Sequence, residues 1–252
     1  MEIKIPHKNN LLHATVIKAE DKSNDWLVFL SGGNTTLGKA RYHDWQLQLR
    51  DKQVNSVAFN YSGVAGSGDV LNNGSLQERI NETLAVLHWI EQQSAQKQNT
   101  TLFASSMGGY TGLGATNQTP QLVNNIILYA PAAYSANAHH LKFDGSFTNE
   151  IRKDNSWETS RSFTWLKNMQ QPILMITPEN DEIIPHRLTE KYVSLGKNKP
   201  LFTHTTLPHC PHNCWKNDEN SHLCRDKIFQ HLLNQLGLIK NTQGQISSNI
   251  IE

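Results

Sequence analysis

The sequence predicts an α/β fold with a mostly parallel central sheet and helices on both of its faces. Short apolar runs of 4–6 residues recur along the chain and are closed by Gly, Pro, Ser or Asn, as expected of strands buried on both faces. Amphipathic helical patterns lie between these runs, and strands that alternate with helices favour a parallel sheet. The 252 residues suit one α/β domain, for which roughly 200–250 residues is common.

The predicted strands follow in chain order. Five strongly apolar runs span residues 25–30, 56–60, 101–104, 125–129 and 173–177. A sixth run, 201–207, is richer in threonine and less apolar. Residues 1–20 are expected to form an antiparallel hairpin at the edge of the sheet.

Two helices have recognisable ends. Ser75 followed by Glu78 predicts a capping box, in which hydroxyl and carboxylate satisfy free backbone donors. Apolar residues then recur at helical spacing, at Leu76, Ile80, Leu84 and Leu87. The last helix is predicted to start near Ser221 and to stop at Gly237, with an apolar face made of Leu223, Ile228, Leu232 and Leu236.

One region departs from this alternation. Residues 135–171 are polar with five scattered aromatic residues, and the segment is too long for a plain connection. We expect a small cap over the carboxyl edge of the sheet, within a single domain over residues 1–240. Residues 241–252 are polar, lack periodicity and are expected to form a loose tail.

Composition and charge exclude several classes of protein. The net charge is +1 and no long run of like charges occurs, which argues against a nucleic-acid or membrane-surface binder. No apolar run approaches the roughly 20 residues that span a bilayer, and the amino terminus lacks the apolar stretch of a signal peptide. The three cysteines do not form a disulfide framework, so we expect a cytoplasmic protein with reduced thiols.

The strongest chemical signal is in residues 102–110, where a buried strand runs into a tight turn of small residues and then a helix. A serine on such a turn needs small residues two positions before and after it, because larger side chains collide where the chain folds back. Ala104 and Gly108 meet that demand for Ser106. Ser105 is the rival, but it would place bulky residues at both crowded positions.

This segment resembles the nucleophile elbow of the α/β-hydrolase family, G-x-S-x-G, with Ala104 in place of the first glycine. The resemblance implies the α/β-hydrolase fold and a Ser-Asp-His triad in that chain order. Asp181 fits the acid, since it follows an apolar strand and precedes an apolar pair and a proline. His212 fits the base in the loop before the last helix, and His209 remains the alternative.

The family resemblance also covers the loop after the first predicted parallel strand. Relatives commonly carry a His-Gly pair there, and the next backbone N–H helps to form the oxyanion hole. Here the sequence reads Ser31-Gly32-Gly33, so Ser31 replaces the histidine. The resemblance implies that Gly33 and Met107 donate their backbone N–H groups to the oxyanion.

Together these features predict a serine hydrolase that cleaves a small or medium carboxylic ester through an acyl-enzyme on Ser106, with no metal or organic cofactor. Residues 129–132, Tyr-Ala-Pro-Ala, resemble small cinnamoyl-esterase-like and monoacylglycerol-lipase-like members. Thioester and amide substrates use the same machinery and stay open as alternatives. The sequence predicts a small-molecule substrate but does not predict an oligomeric state.

Readings from other classes are weaker. Six residues with zinc-binding side chains crowd into one stretch, but their spacing matches none of the common paired zinc patterns: His209, Cys210, His212, Cys214, His222 and Cys224. A catalytically inactive hydrolase-like binding protein would keep the fold alone. The glycine-rich residues 63–68 lack the Lys-Ser/Thr ending of a phosphate-binding loop.

Overall fold

The computed structural model describes residues 1–33 and 38–239. Within these ranges eight strands form one sheet in the order β1-β2-β4-β3-β5-β6-β7-β8. The two amino-terminal strands form an antiparallel hairpin, β2 also pairs antiparallel with β4, and the six strands β3 to β8 run parallel. The strands are β1 (Glu2–His7), β2 (Asn10–Ile17), β3 (Asp25–Leu30), β4 (Asn55–Phe59), β5 (Asn99–Ser105), β6 (Asn125–Tyr129), β7 (Ile173–Asn180) and β8 (Phe202–Pro211).

The predicted sheet is confirmed, including the amino-terminal hairpin at its edge. The two carboxyl-terminal strands are longer than predicted, because β7 continues to Asn180 and β8 to Pro211. Both extensions are polar and carry a register shift between Pro178 and Asn180, so the apolar pattern that marks the buried part of a strand does not reveal them.

Seven helices lie between and after the strands in the described ranges. They are α1 (His43–Arg50), α2 (Leu76–Glu91), α3 (Met107–Gln118), α4 (Gly145–Ile151), α5 (Arg161–Asn168), α6 (His186–Gly196) and α7 (Glu219–Gln235).

The start of α2 forms only half of the predicted capping box. The Ser75 hydroxyl accepts a hydrogen bond from the Glu78 N–H at 3.1 Å. The Glu78 carboxylate does not return to the cap. It accepts from His7 Nε2 at 2.7 Å and from Lys8 Nζ instead, and so joins α2 to the β1–β2 hairpin. The carboxylate therefore bonds to the two side-chain donors of the hairpin rather than to the single backbone N–H of the cap.

Helix α7 begins at Glu219, two residues before its predicted start, with the Asp218 carboxylate accepting from the Ser221 N–H at 2.8 Å. Gly237, at φ +70°, follows its carboxyl terminus as predicted. The assignment of Leu223 to the buried face was wrong, because its side chain is 53% exposed. Cys224 is buried in its place, which rotates the apolar face by one residue.

The sheet has a separate apolar core on each face. One core packs α2, α3, α5 and α6 against the sheet, and alternate residues of β3 such as Val28 and Leu30 point into it. The other core packs α1 and α7 against the opposite face, where Leu27 and Phe29 point. This alternation explains why the central strands read as continuous apolar runs.

Residues 135–171 fold into short helices, of which α4 and α5 are the longest. Helix α5 packs against α3 and α6, and the 3-10 turn Ala136–His140 packs against α2. Aromatic residues of this segment are packed: Trp165 packs edge-on to Tyr110 of α3, and Phe143 packs against Phe147. The predicted tail, residues 241–252, lies outside the described residues.

Cys210 and Cys224 form a disulfide that joins the end of β8 to α7, with a Cα–Cα distance of 5.7 Å. The expectation of three reduced thiols is therefore wrong for this pair. The two cysteines are 14 residues apart, and only the packing of α7 beside the end of β8 brings them together. Cys214 is buried and unpaired.

No helix in residues 1–33 and 38–239 is long and apolar enough to cross a membrane.

Candidate active site

Ser106 occupies the turn between β5 and α3 in a strained backbone conformation, with φ +52° and ψ −118°. Its backbone is held from three directions: its N–H donates to the Tyr129 carbonyl at 2.9 Å, and its carbonyl accepts from Gly109 and Ala132. A non-glycine residue adopts such a conformation only where the surrounding structure imposes it. The sharp turn leaves the Ser106 side chain partly exposed.

The close approach of β3 explains why Gly108 follows two positions after Ser106. A Cβ on Gly108 would lie 2.3 Å from the Leu30 carbonyl oxygen, which is backbone and cannot move aside. Ala104 is fully buried on the other side of the turn. The rival serine, Ser105, is buried and shares a hydrogen bond of 3.3 Å with the Tyr42 hydroxyl on the opposite face of the sheet.

His212 links Ser106 to Asp181. Its Nε2 lies 3.1 Å from the Ser106 Oγ, and its Nδ1 lies 2.9 Å from Asp181 Oδ2. With the ring proton on Nδ1, His212 donates to the carboxylate and its Nε2 accepts from the serine hydroxyl. The His212 and Asp181 side chains are only 12% and 10% exposed, so this chain of hydrogen bonds is largely shielded from water.

Asp181 is oriented by its own turn. Its second oxygen, Oδ1, accepts from the backbone N–H groups of Ile183 at 2.9 Å and Ile184 at 2.8 Å, which leaves Oδ2 for His212. The turn after β7 therefore fixes the carboxylate before the imidazole binds it. This arrangement follows from the short polar turn that the sequence showed before the apolar pair.

The neighbouring residues of the predicted triad have other contacts. The alternative base, His209, is 85% exposed and lies 3.5 Å from Glu179, which also accepts from the His209 backbone N–H. Glu182 accepts from the backbone N–H of His212 at 3.1 Å. The sequence did not single out Glu182 as a residue that holds the base loop, because it resembled one of several solvated acids.

The loop after β3 lies directly against Ser106. A Cβ on Gly32 would lie 3.1 Å from the Ser106 Cβ, and one on Gly33 would lie 3.5 Å from the Met107 Cε. Gly33, one predicted oxyanion donor, thus lies beside the side chain of the other, Met107, and lines the same cavity as Ser106. The Ser31 hydroxyl, where relatives carry a histidine, is buried and has no hydrogen-bond partner among the described residues.

Arg79 is a residue of this region that sequence reasoning missed. It lies on α2, is only 3% exposed, and donates from Nη1 to the Gly32 carbonyl at 3.2 Å and to Met107 Sδ at 3.0 Å. A signal was available, because Arg79 falls between Leu76 and Ile80 on the face of α2 that the periodicity predicted to be buried. A charged residue on a buried stripe requires a partner.

A cavity of about 440 Å³ opens beside Ser106 and His212. Aromatic side chains of Tyr134 and Trp215 line it together with the Arg41 and Lys216 side chains. Among the described residues, none from the 135–171 segment lines this cavity, and Tyr134 is the lining residue that lies nearest to the segment in the sequence. The cavity can hold a small or medium organic molecule.

Cys214 lies two residues after His212 but is not arranged as a nucleophile. Its thiol donates to the Pro211 carbonyl at 3.2 Å and lies 3.0 Å from the Tyr129 hydroxyl. Burial raises the pKa of this thiol, so the protonated form is favoured. No group of three or more His, Cys, Asp or Glu residues that could hold a metal ion occurs within residues 1–33 and 38–239.

Comparison with protein families identifies the chain over residues 21–166, which match the family model described as serine aminopeptidase, S33. The chain belongs to this hydrolase family. The matched region includes Ser106 and the loop at Gly32 and Gly33, and it ends before Asp181 and His212. A search among curated proteins finds no match.

Solved structures confirm the α/β-hydrolase fold of this family member. Est1E from Butyrivibrio proteoclasticus, with ferulic acid bound, matches with a TM-score of 0.71 and 16% identity over 93% of this chain and 99% of that one. The esterase EaEST from Exiguobacterium antarcticum gives 0.68 and 14% identity, covering 94% of this chain and 100% of that one. A monoacylglycerol lipase from Paleococcus ferrophilus gives 0.66 and 15% identity, covering 88% and 98%.

Proposed function

We propose that this S33-family hydrolase cleaves a carboxylic ester of small or medium size through an acyl-enzyme on Ser106. The observation that carries the proposal is the continuous hydrogen-bond chain from Ser106 Oγ through His212 to Asp181, at 3.1 Å and 2.9 Å. His212 removes the serine proton as Oγ attacks the carbonyl carbon, and then returns it to the leaving alcohol. In the second half of the reaction, His212 removes a proton from water as the water attacks the acyl carbonyl, and then returns the proton to Ser106 Oγ as the acid leaves.

The tetrahedral intermediate needs donors for its negatively charged oxygen. The backbone N–H groups of Gly33 and Met107 serve this role in the proposal, and Met107 is also the first residue of α3, where the helix terminus favours negative charge. A single such donor typically contributes about 3–4 kcal/mol to lowering the barrier.

The solved relatives support an ester as the substrate. Est1E carries bound ferulic acid, and the other two are an esterase and a monoacylglycerol lipase. The cavity beside Ser106 has aromatic walls at Tyr134 and Trp215 that suit an apolar acyl or aryl group. The proposed architecture is one domain over residues 1–240 with residues 135–171 as a cap insertion.

An amide substrate is the second candidate, because the matched family is described as serine aminopeptidase. Glu182 lines the cavity and could bind the free amino group of a peptide. Thioesters would use the same nucleophile. Aminoacyl p-nitroanilides tested beside p-nitrophenyl esters separate the first two candidates, since only an aminopeptidase turns over the anilides at a rate comparable to the esters.

A cytoplasmic location is a prediction of the sequence, and the Cys210–Cys224 disulfide is the observation against it. Disulfides persist in oxidising compartments and are rare where thiols are kept reduced.

The proposed function is tested by labelling the purified protein with a fluorophosphonate probe, beside Ser106→Ala, followed by a p-nitrophenyl ester series of increasing acyl length. We expect labelling that is lost in Ser106→Ala and turnover with a maximum at one acyl length. An unlabelled, inactive wild-type protein would instead favour a hydrolase-like binding protein.

A further inference from the structure

A buried guanidinium group connects the two segments that carry the proposed oxyanion donors. Arg79 Nη1 donates to the carbonyl of Gly32 and to the Sδ of Met107, at 3.2 Å and 3.0 Å. Gly32 immediately precedes one proposed donor, Gly33, and Met107 is the other. The same nitrogen of Arg79 thus contacts the residue before one proposed donor and the side chain of the other.

The contact with Gly32 acts directly on the donor at Gly33. The Gly32 carbonyl and the Gly33 N–H belong to one planar peptide unit and point in opposite directions. A donor bound to the carbonyl therefore fixes the direction of the N–H, and it also polarises the peptide so that the N–H becomes a stronger donor. Two consecutive glycines leave this peptide free to rotate unless such a contact holds it.

The charge of Arg79 is not neutralised by a direct ion pair in the part of the chain that the structure describes. Its guanidinium carbon lies 4.7 Å from the Tyr61 ring centroid and 5.0 Å from that of Phe143. Glu82 is on the same helix, but its carboxylate accepts from the Ser62 N–H with both oxygens, and burial raises its pKa. Arginine keeps its proton in proteins, so a positive charge stays behind the hole.

Among the residues that the structure describes, no other side chain donates to the Gly32 carbonyl. Members of the α/β-hydrolase family, which this loop resembles, commonly carry a histidine at the position of Ser31. Here the Ser31 side chain is buried, and its hydroxyl has no hydrogen-bond partner among the described residues. The Arg79 Nε is likewise buried without a partner there.

We propose that Arg79 is a positioning residue of the active site, which orients the Gly32–Gly33 peptide and supplies positive potential to the oxyanion that forms on the substrate. The inference rests on the proposed function. Arg79 would then join the groups that stabilise the transition state, although its helix, α2, carries none of the proposed triad residues. Arg79 acts through the loop and does not touch the substrate.

Three substitutions separate the two contributions of Arg79. Arg79→Lys keeps a cationic donor without the planar guanidinium, Arg79→Gln keeps a neutral donor on a shorter side chain, and Arg79→Met keeps neither charge nor donor. We expect kcat for a p-nitrophenyl ester to fall by about 10²-fold in Arg79→Met, comparable to the loss of one oxyanion donor. Arg79→Lys and Arg79→Gln should lie between Arg79→Met and the wild type, and KM should change little in all three.

A transition-state analogue distinguishes this role from a structural one. A trifluoromethyl ketone forms a tetrahedral adduct with the serine and places a negative oxygen in the oxyanion hole. In each arginine variant its inhibition constant should therefore rise by the same factor by which kcat falls. The matched control is Thr83→Val on the same buried helix face, which removes hydrogen bonds to the Arg79 carbonyl and the Tyr61 hydroxyl without touching the loop. It should lower the melting temperature and keep kcat and ketone affinity.

The outcomes are separable. Wild-type kcat and ketone affinity in Arg79→Met, beside an active wild-type enzyme, would overturn this inference alone. If Arg79→Met does not fold, the same result in both Arg79→Lys and Arg79→Gln would overturn it. A Thr83→Val variant that loses as much ketone affinity as the arginine variants would also overturn it, by making the loss a general effect of destabilising α2. A wild-type protein without labelling or turnover would overturn the proposed function, and this inference with it.

Discussion

Ser106 combines a reactive position with an unfavourable backbone. Its φ of +52° lies in the region that side chains avoid, and the contacts of its N–H and carbonyl with Tyr129, Gly109 and Ala132 hold it there. Ala130, which follows Tyr129 on the next strand, also has a positive φ, of +45°. The backbone is thus strained at two neighbouring turns, and the turn at Ser106 places the serine hydroxyl at the cavity.

The strain at Ser106 can be measured directly. Because glycine adopts positive φ without a Cβ clash, Ser106→Gly should be more stable than Ser106→Ala, by about 1 kcal/mol after glycine's larger entropy loss is included. Chemical denaturation of both variants gives the difference. Equal stabilities, or a more stable alanine variant, would mean that the turn imposes no strain on a side chain at this position.

Asp181 should be essential for catalysis although it does not touch the substrate. Asp181→Asn removes the charge that stabilises the protonated imidazole and permits the wrong tautomer of His212, so we expect kcat to fall by about 10³–10⁴-fold. The matched control is Glu179→Gln, two residues earlier at the end of β7, whose side chain accepts from the His209 backbone N–H and lies 3.5 Å from His209 Nδ1. It should remain within a few-fold of wild type, and a similar loss in both variants would count against the assignment of Asp181.

Among individual residues, the sequence predicted Ser106, Asp181 and His212 as one site, and the structure brings these three side chains together. Each follows a strand and lies in a short turn, so local pattern and chain order place it. Arg79 and Glu182 were missed because their contacts are with backbone groups distant in the sequence, Gly32 and His212. A single chain shows which residues are chemically able to make such contacts but not which backbone atoms they meet.

Among the elements, one buried histidine helps to dock the 135–171 segment on its neighbouring helices. His139 lies 2.9 Å from the Tyr110 hydroxyl of α3 and 2.7 Å from Gln77 Oε1 of α2. Burial lowers the pKa of His139 to about 4, and the positive charges of Arg161 and His140 add to the effect. The neutral ring is therefore part of the interface between this segment and the two helices.

The docking of His139 predicts a pH dependence of stability. Its folded pKa lies below the unfolded value near 6.5, so the unfolded chain binds the additional proton as the pH falls. The contribution of the neutral ring is complete above pH 6.5 and is lost progressively between about pH 6.5 and 4. His139→Gln should be less stable than wild type at pH 7, and the gap between them should narrow toward pH 4.

Urea denaturation at several pH values measures this gap. The exposed His43 of α1, on the other face of the sheet, provides the control, since His43→Gln should leave the wild-type slope in place over the same range. A gap between wild type and His139→Gln that stays constant from pH 7 to 4 would contradict a neutral, buried imidazole at this interface.

Over the whole molecule, the alternation of strands and helices was enough to predict the sheet. Each central strand is apolar along its entire length because both faces of the sheet are covered, and that pattern survives in the sequence. The polar ends of β7 and β8, the rotation of α7 that exposes Leu223, and the pairing of Cys210 with Cys224 were not predictable. All three depend on how the carboxyl-terminal strand and helix pack, which no local periodicity records.

The disulfide should contribute to global stability. It closes a loop of 14 residues, for which the loss of unfolded-chain entropy corresponds to about 3 kcal/mol. The double variant Cys210→Ala/Cys224→Ala should therefore unfold at a lower denaturant concentration, and reductant should shift the wild type in the same direction but not the variant. Cys214→Ser serves as the control that removes a cysteine and keeps the bond.

Thiol counting gives an independent check. Wild-type protein denatured without reductant should react with one equivalent of thiol reagent, from Cys214, and with three after reduction. Three reactive thiols before reduction would show that the purified protein does not contain the bond.

The bond between Cys210 and Cys224 also encloses His212 and the exposed residues 216–220 in one covalent ring. A protease that cuts after Lys216 would leave His212 on the longer fragment and α7 on the shorter one, with the two still joined through sulfur. We therefore expect that the backbone between His212 and α7 can be cut once the ring is closed, so that new chain ends introduced there keep the fold and the proposed triad in one molecule.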